Sequence, residues 1–263
     1  MPGLAMVTGA SSGIGEAYAE RLAADGWELM IVARRVDRLD QLAARLSDGH
    51  GVNVDVIGAD LGQPEEVSKL CEAIAEAPLD MLVNNASLAH YMPFAELPPD
   101  RARELLEVNV SSLVLLSRAA VPGMIERAAG SIINVASLLA FSGESEEPFF
   151  PKRVVYAATK SFVVTFSQLL AQELRPHGVR VQVVCPGVVR SEFHTRQGMD
   201  LSSVPRMEAP DVVRASLMDL ADGVVLSVPG LTDPDLVADA KAANAALLGA
   251  TRVTELPSRY STA

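Results

Sequence analysis

Apolar positions along the chain fall into two alternating rhythms. Short runs at Leu4–Val7, Glu28–Ala33, Val52–Ile57, Met81–Val83, Ser131–Val135, Val179–Val184 and Val224–Val228 read as strands. Between them, helix-like segments cover Ile14–Asp25, Leu39–Leu46, Pro64–Ala75, Pro99–Met124, Val155–Leu174 and Ala209–Leu220. Alternation of this kind implies βαβ crossovers, hence an α/β fold with a parallel sheet and helices on both faces. Gly178, right after Pro176 and His177, is placed to end the long helix with a left-handed cap. No repeat or linker interrupts the pattern. The chain therefore reads as a single domain over residues 1–263, with a core at 3–230 and a C-terminal helical extension and tail at 231–263.

Composition changes this picture by exclusion. Hydrophobic residues make up 49% of the 263 positions and aromatics only 5%, so the core is expected to be sizeable and aliphatic. A net charge of −11 argues against a nucleic-acid or anionic-membrane partner, because phosphate surfaces attract basic proteins. Cys71 and Cys185 are too few for a disulfide framework and fit a reducing compartment. No basic leader precedes Leu4, and no uninterrupted apolar stretch of about 18 residues occurs, so a cytoplasmic protein without a spanning helix is expected.

The first strand runs directly into M-V-T-G-A-S-S-G-I-G-E-A, from Met6 to Ala17. Gly9, Gly13 and Gly15 between a strand and a helix permit a tight turn. They let the backbone around Ser11, Ser12 and Ile14 approach a pyrophosphate at the positive helix end. The spacing G-x-x-x-G-x-G differs from the commoner G-x-G-x-x-G, so the strand-before, helix-after context carries the dinucleotide assignment. At the end of the second strand, Ala33 is followed by Arg34 and Arg35. A carboxylate there usually holds a free ribose 2′-hydroxyl and an arginine a 2′-phosphate, which places NADP(H) ahead of NAD(H). Basic charge at a helix start opposes the helix dipole and asks for an anion. Asp37 could pair with Arg34 or Arg38. Asp60, followed by Leu61, could meet the adenine or simply cap the next turn.

In V-V-Y-A-A-T-K-S-F, Val154 to Phe162, Tyr156 and Lys160 fall one helical turn apart on one face. An ammonium about 4 Å from a phenol is worth around 4 kcal/mol at an effective dielectric near 20. At about 1.4 kcal/mol per pKa unit, that would bring a tyrosine from about 10 toward neutral pH. The pair therefore suits proton transfer.

Taken in order, T-G-x-x-x-G-x-G at Thr8–Gly15, N-N-A at Asn84–Ala86, Asn109, Ser137, Y-x-x-x-K at Tyr156–Lys160 and P-G at Pro186–Gly187 carry a family resemblance. Over roughly residues 3–230 the chain resembles the short-chain dehydrogenases/reductases. The resemblance implies a Rossmann-like, doubly wound sheet of about seven strands in the order 3-2-1-4-5-6-7. It also implies nicotinamide-dependent interconversion of a carbonyl compound and its alcohol by a homodimer or homotetramer. By the same resemblance Tyr156 is the acid/base, and Lys160 binds the nicotinamide ribose and lowers the tyrosine pKa. Ser137 bonds the substrate oxygen, and Asn109 holds a water linking Lys160 to solvent. Asn85 and Ala86 line the cofactor groove, and Val188 after Pro186–Gly187 approaches the nicotinamide.

The sequence departs from the family in three places. Ser87 stands where glycine usually follows N-N-A, and Ser191 stands where threonine commonly contacts the carboxamide. The segment F-S-G-E-S-E-E-P-F-F-P-K-R forms an insertion between Ser137 and Tyr156. A catalytically silent NADP(H)-binding redox sensor is the alternative reading, although such a protein would be expected to lack the tyrosine or the lysine. A sugar-nucleotide epimerase would need a longer C-terminal region.

Expected pocket walls are Leu88, Tyr91, Met92, Phe94, Leu138, Phe141, Phe149 and Phe150, with Phe193 in a flap at Glu192–Met207. They favour an apolar or aromatic carbonyl compound. Phe162, Val163, Phe166, Leu169 and Leu170 spread over a wide arc of the catalytic helix and suggest a subunit interface. His50, His90, His177 and His194 show no paired metal-ligand spacing, so no metal is expected. Cys185 and Trp27 read as packing, and Glu144, Glu146 and Glu147 as a solvated loop.

Overall fold

In the computed structural model, which describes residues 3–143, 150–250, 254–256 and 258–260, the first apolar run forms β1 (Leu4–Thr8). Its Ala5, Met6 and Val7 are fully buried, because helices cover both faces of a parallel sheet and leave its central strands apolar on both sides. The same holds for β2 (Glu28–Ala33), β4 (Leu79–Asn84), β5 (Gly130–Val135) and β6 (Val179–Val184), whereas the edge strand β3 (Val54–Gly58) exposes Asp55 and Gly58. A separate pair, β7 (Val189–Arg190) with β8 (Met207–Glu208), stands outside the main sheet. The seventh strand of that sheet is β9 (Leu226–Ser227), and the order is β3-β2-β1-β4-β5-β6-β9, parallel throughout. This is the expected order. β9 is shorter than the apolar run Val224–Val228 because only Leu226 and Ser227 find partners, at Val183 and Val184 on the sheet edge.

Chain order reverses between β1 and β4, and the crevice at the carboxyl ends of those strands is where an open α/β sheet binds ligands. On one face lie α1 (Gly13–Ala24), α2 (Val36–His50) and α8 (Ala209–Ala221). The other face carries α3 (Pro64–Glu76), α5 (Ser112–Glu126) and α6 (Val154–Leu174). Gly178 closes the turn after α6 at φ 74°, and a Cβ there would lie 2.4 Å from the Ala128 carbonyl oxygen. Only glycine fits that left-handed position.

The helix expected at Pro99–Met124 is interrupted. It consists of α4 (Pro99–Leu106), a π-helical stretch at Glu107–Ser111, and α5. Single π-turns inside helices commonly mark functional sites, and this one carries Asn109. The runs 99–126 and 154–177 are also long and apolar enough to cross a membrane by length and composition, contrary to the expectation that no such helix exists. Both pack on the sheet, and their apolar residues divide between the core and an exposed set that includes Leu106, Leu115, Phe162 and Leu169.

The chain divides into two compact units, Met1–Gly230 and Leu231–Ala263. Within the second, α9 (Asp235–Ala250) has no buried residue. Phe149 and the acidic residues Glu144, Glu146 and Glu147 lie outside the described residues.

Candidate active site

The three glycines after β1 have different physical duties. Gly9 adopts φ 68°, and a Cβ there would sit 2.8 Å from Asn85 Nδ2 and 2.9 Å from Ala86 Cα. Gly13, at φ 63°, faces Ser191. Gly15 lets α1 close on the turn, since its Cβ would meet the Gly9 carbonyl oxygen. Thr8 ties this loop to the neighbouring strand end: its Oγ1 accepts from the backbone N–H groups of Asn85 and Ala86, each at 3.0 Å. Asn85 Nδ2 donates back to the Thr8 carbonyl at 2.9 Å. Two strand tips are thus fastened side by side, with a backbone cradle that any added side chain would fill.

Arg34 and Arg35 part company at the end of β2. Arg34 is 58% exposed and 3.9 Å from Asp60, whose Oδ1 accepts from Gly62 N–H and caps the local turn. Arg35 folds over the glycine loop: Nη2 donates to Ser11 Oγ at 2.8 Å and Ser12 Oγ at 2.9 Å. Its Nη1 donates to Glu192 Oε2 at 3.0 Å. Glu192 opens the short helix α7 (Glu192–Thr195), and it also accepts from Arg38 at 2.7 Å and from Arg196. Arg38, with Arg35 and Arg196, holds the Glu192 carboxyl down at about 2. Asp37 therefore makes neither of the ion pairs open to it: Arg38 turns to Glu192 and Arg34 toward Asp60.

Deeper in, Tyr156 and Lys160 project from α6, 5% and 2% exposed. The tyrosine phenol meets the hydroxyls of Ser137 and Tyr91. The Tyr91 ring stands edge-on to the Tyr156 ring at 5.5 Å, and Phe193 of the flap lies 6.0 Å away. Lys160 Nζ donates to the Val135 carbonyl at 3.0 Å and lies 5.7 Å from the centre of the tyrosine ring.

This geometry corrects the electrostatic expectation. Burial pushes Tyr156 well above the ordinary phenol value and pulls Lys160 down to about 8, desolvation being the largest cause for both. Further positive charge in the site would favour the phenolate and disfavour the ammonium. Burial likewise pushes Cys185 up to about 12, as befits a packing thiol.

The Asn109 side chain is fully committed. Its Oδ1 accepts from Leu88 N–H and Ser87 Oγ, both at 3.0 Å, and its Nδ2 donates to the Leu88 carbonyl at 2.9 Å and Thr159 Oγ1 at 3.2 Å. Four bonds use the whole capacity of the side-chain amide, so the side chain itself has no bond left for a water. Asn109 instead fixes the loop after β4, and Ser87, the residue replacing glycine, supplies one of the bonds.

One cavity of about 640 Å³ joins these groups. Gly9, Ser11, Ser12, Gly13 and Ile14 line its outer end with Arg34, Arg35, Asp60 and Leu61; Asn85 and Ala86 line the middle. Tyr156, Lys160, Ser137, Pro186, Gly187 and Val188 line the inner end, and Ser191 faces Gly13. Gly15 and Asn109 do not reach it and act through packing and hydrogen bonds. Tyr91, Leu138, Phe150 and Phe193 form walls as expected, whereas Phe141, Met92 and Phe94 do not. Phe141 is 53% exposed because the turn Leu138–Phe141 is pinned one residue earlier, where Ser161 Oγ donates to the Ala140 carbonyl. Phe150 is held by the Arg153 guanidinium, 4.5 Å from its ring centre. Sequence reasoning missed His194, Met199, Leu201 and Val204 as flap residues facing the cavity, and Glu192 as the partner of three arginines. Only their clustering within the flap could have signalled them.

A glycine cradle at the switch point of a doubly wound parallel sheet, opening onto a buried Tyr–Lys pair, defines a dinucleotide-dependent α/β domain. The residues fit such a group: a Cβ at Gly9 would fill the cradle, and Arg35 supplies charge at its edge. The sequence profile of the short chain dehydrogenase family matches residues 3–201, and the chain belongs to that family of oxidoreductases. It is 33% identical to a human very-long-chain 3-oxoacyl-CoA reductase over 199 residues, 73% of this chain and 62% of the relative. The bovine reductase is 34% identical over 193 residues, 72% and 60% of the two lengths. The chain thus spans less than two thirds of these relatives. Among solved structures, a short-chain dehydrogenase from Sphingobium yanoikuyae in complex with NADPH superposes with a TM-score of 0.92 at 34% identity, over 99% of this chain and 100% of the other. The bulky-bulky ketone specific alcohol dehydrogenase from Comamonas testosteroni gives 0.89 at 30% identity, over 100% and 99%.

Proposed function

We propose that this chain is an NADP(H)-dependent oxidoreductase that interconverts an apolar or aromatic ketone or aldehyde and its alcohol. The observation that carries the reading is one continuous cavity with Arg35 at one end and the Tyr156, Ser137 and Lys160 side chains at the other. The NADPH in the Sphingobium structure and the carbonyl chemistry named for the reductases and the Comamonas enzyme support it. The cofactor would supply the hydride and, when oxidised, a positive charge. The Tyr156 phenol holds the proton that the substrate oxygen gains or loses. Ser137 orients that oxygen. Lys160, fixed on the Val135 carbonyl, adds charge at the pair and would hold the nicotinamide ribose. Leu138, Phe150 and Phe193 give the substrate side apolar walls.

Tyr156→Phe removes the proton carrier and little volume. Turnover should fall by about 10²–10⁴-fold while NADPH affinity, read by fluorescence titration, changes less than about twofold. Wild-type kcat in the variant would overturn the reading; tight NADPH binding by the wild type with no turnover on any ketone or aldehyde would favour the silent redox module.

The same reading places the protein in the cytoplasm as a homodimer or homotetramer. Phe162 and Leu169 stand 41% and 59% exposed on α6, and Leu115 48% exposed on α5, an apolar area suited to a second copy. Light scattering at micromolar concentration should give twice or four times the 27.9 kDa chain mass; a monomer would count against it.

A further inference from the structure

The carboxylate of Glu192 occupies an unusual place. Arg35 reaches Oε2 at 3.0 Å, Arg38 reaches Oε1 at 2.7 Å, and Arg196 shares Oε2. The other nitrogens of Arg35 hold Ser11 and Ser12 in the glycine loop. Glu192 therefore bridges the flap to the loop through the arginine best placed to meet a 2′-phosphate. Arg35, Arg38, Arg196, Glu192 and Thr195 line one open cleft beside the main cavity. Three guanidinium groups pair with this one carboxylate, while Asp37 and Glu16 act on Arg38 from further away, so the cleft carries net positive charge. A phosphomonoester carries about −1.5 to −2 near pH 7 and is attracted to such a cleft. Glu192 opposes it by charge, since its carboxylate already takes one N–H of Arg35 Nη1 and repels a second anion from the same cleft.

We infer that Glu192 is a specificity-determining residue, an internal anion that competes with the cofactor's 2′-phosphate for Arg35 and its neighbours. The inference rests on the NADP(H) reading and adds to it. Without phosphate, Glu192 neutralises the cluster and ties α7 to the glycine loop. With phosphate, Arg35 exchanges one oxygen anion for another, so the 2′-phosphate contributes less net affinity than three arginines would otherwise give. A chain of this design keeps measurable affinity for the unphosphorylated cofactor, because the arginines are never left without a counter-ion.

The test uses the purified full chain, calorimetry, and two probes that differ only in the 2′-phosphate: adenosine 2′,5′-bisphosphate and adenosine 5′-monophosphate. The wild type should prefer the bisphosphate. Glu192→Gln, which keeps size and removes charge, should tighten the bisphosphate roughly three- to tenfold, the scale of an exposed charge pair, and change the monophosphate by less than about twofold. An unchanged or weakened bisphosphate, or an equal change for both probes, overturns the inference while leaving the NADP(H) reading in place. A wild type with no preference for the bisphosphate overturns that reading and the inference together.

Discussion

The two ends of the cavity are built from different materials. At the nucleotide end, short turns at the tips of β1 and β4 are tied together by backbone bonds to Thr8 and Asn85. A Cβ on Gly9 would collide with the Ala86 backbone, which has no room to yield. At the substrate end, the walls are side chains on a 3₁₀ turn, the end of an insertion and a flap, with Leu138 and Phe150 partly exposed. Backbone geometry is shared by every binder of the same nucleotide, whereas loop side chains can change without disturbing the sheet. One end therefore speaks to chemistry common to the family, and the other to a substrate particular to this chain.

The largest expected effect tests the nucleotide end. Gly9→Ala puts an L-residue at φ 68° and a methyl group inside contact distance of Asn85 and Ala86. A stability loss of at least about 3 kcal/mol in denaturant melts, with NADPH affinity down on the order of 100-fold, is expected. Wild-type stability and affinity would show that the cradle is looser than its contacts imply.

The junction between the ends is next. Burial holds Lys160 at about 8 against an ordinary 10.5, so its charge is less favourable in the folded state than in the unfolded chain. The difference costs roughly 3 kcal/mol below pH 8, where both states are protonated. Between pH 8 and 10.5 only the unfolded chain keeps the proton, so stability rises with pH, and above 10.5 the cost is gone. Lys160→Met loses the bond to the Val135 carbonyl, about 1 kcal/mol, and should still be more stable than wild type at pH 7 by about 2 kcal/mol. The gap should close as pH passes through 8 to 10.5. A gap that is constant or widens in thermal melts across that range would contradict the buried-charge account.

The smallest effect belongs to the substrate end. Phe150→Ala removes a partly exposed wall under Arg153. Its stability should stay within about 1 kcal/mol, while kcat/KM for aromatic ketones relative to small aliphatic ones shifts roughly three- to tenfold. A stability loss as large as that of Gly9→Ala, with selectivity untouched, would erase the contrast between the two ends.

The alternation of strands and helices, the strand-to-helix glycine turn and the Tyr156–Lys160 spacing were all legible along the chain, because each depends on residues within a turn or two of one another. Sheet order and the catalytic set came through the family resemblance that those motifs carry. Local pattern did not reach further. The pull of Leu88 on Asn109 across 21 residues, which accompanies the π-turn and uses up the amide, has no periodic signature. Nor has the meeting of the Tyr91 and Tyr156 hydroxyls, or the exposure of Phe141. Burial itself reversed the expected pKa of the tyrosine, since desolvation depends on everything packed around a group and not on the one charge nearest in sequence. Arg35 and Glu192 lie 157 positions apart and meet because the parallel strands all end at one edge of the sheet, from which the chain beyond β6 reaches back to the end of β2. Periodicity records which face of an element is buried; which loop charges become neighbours depends on how strands are ordered in space, and no single stretch of chain encodes that.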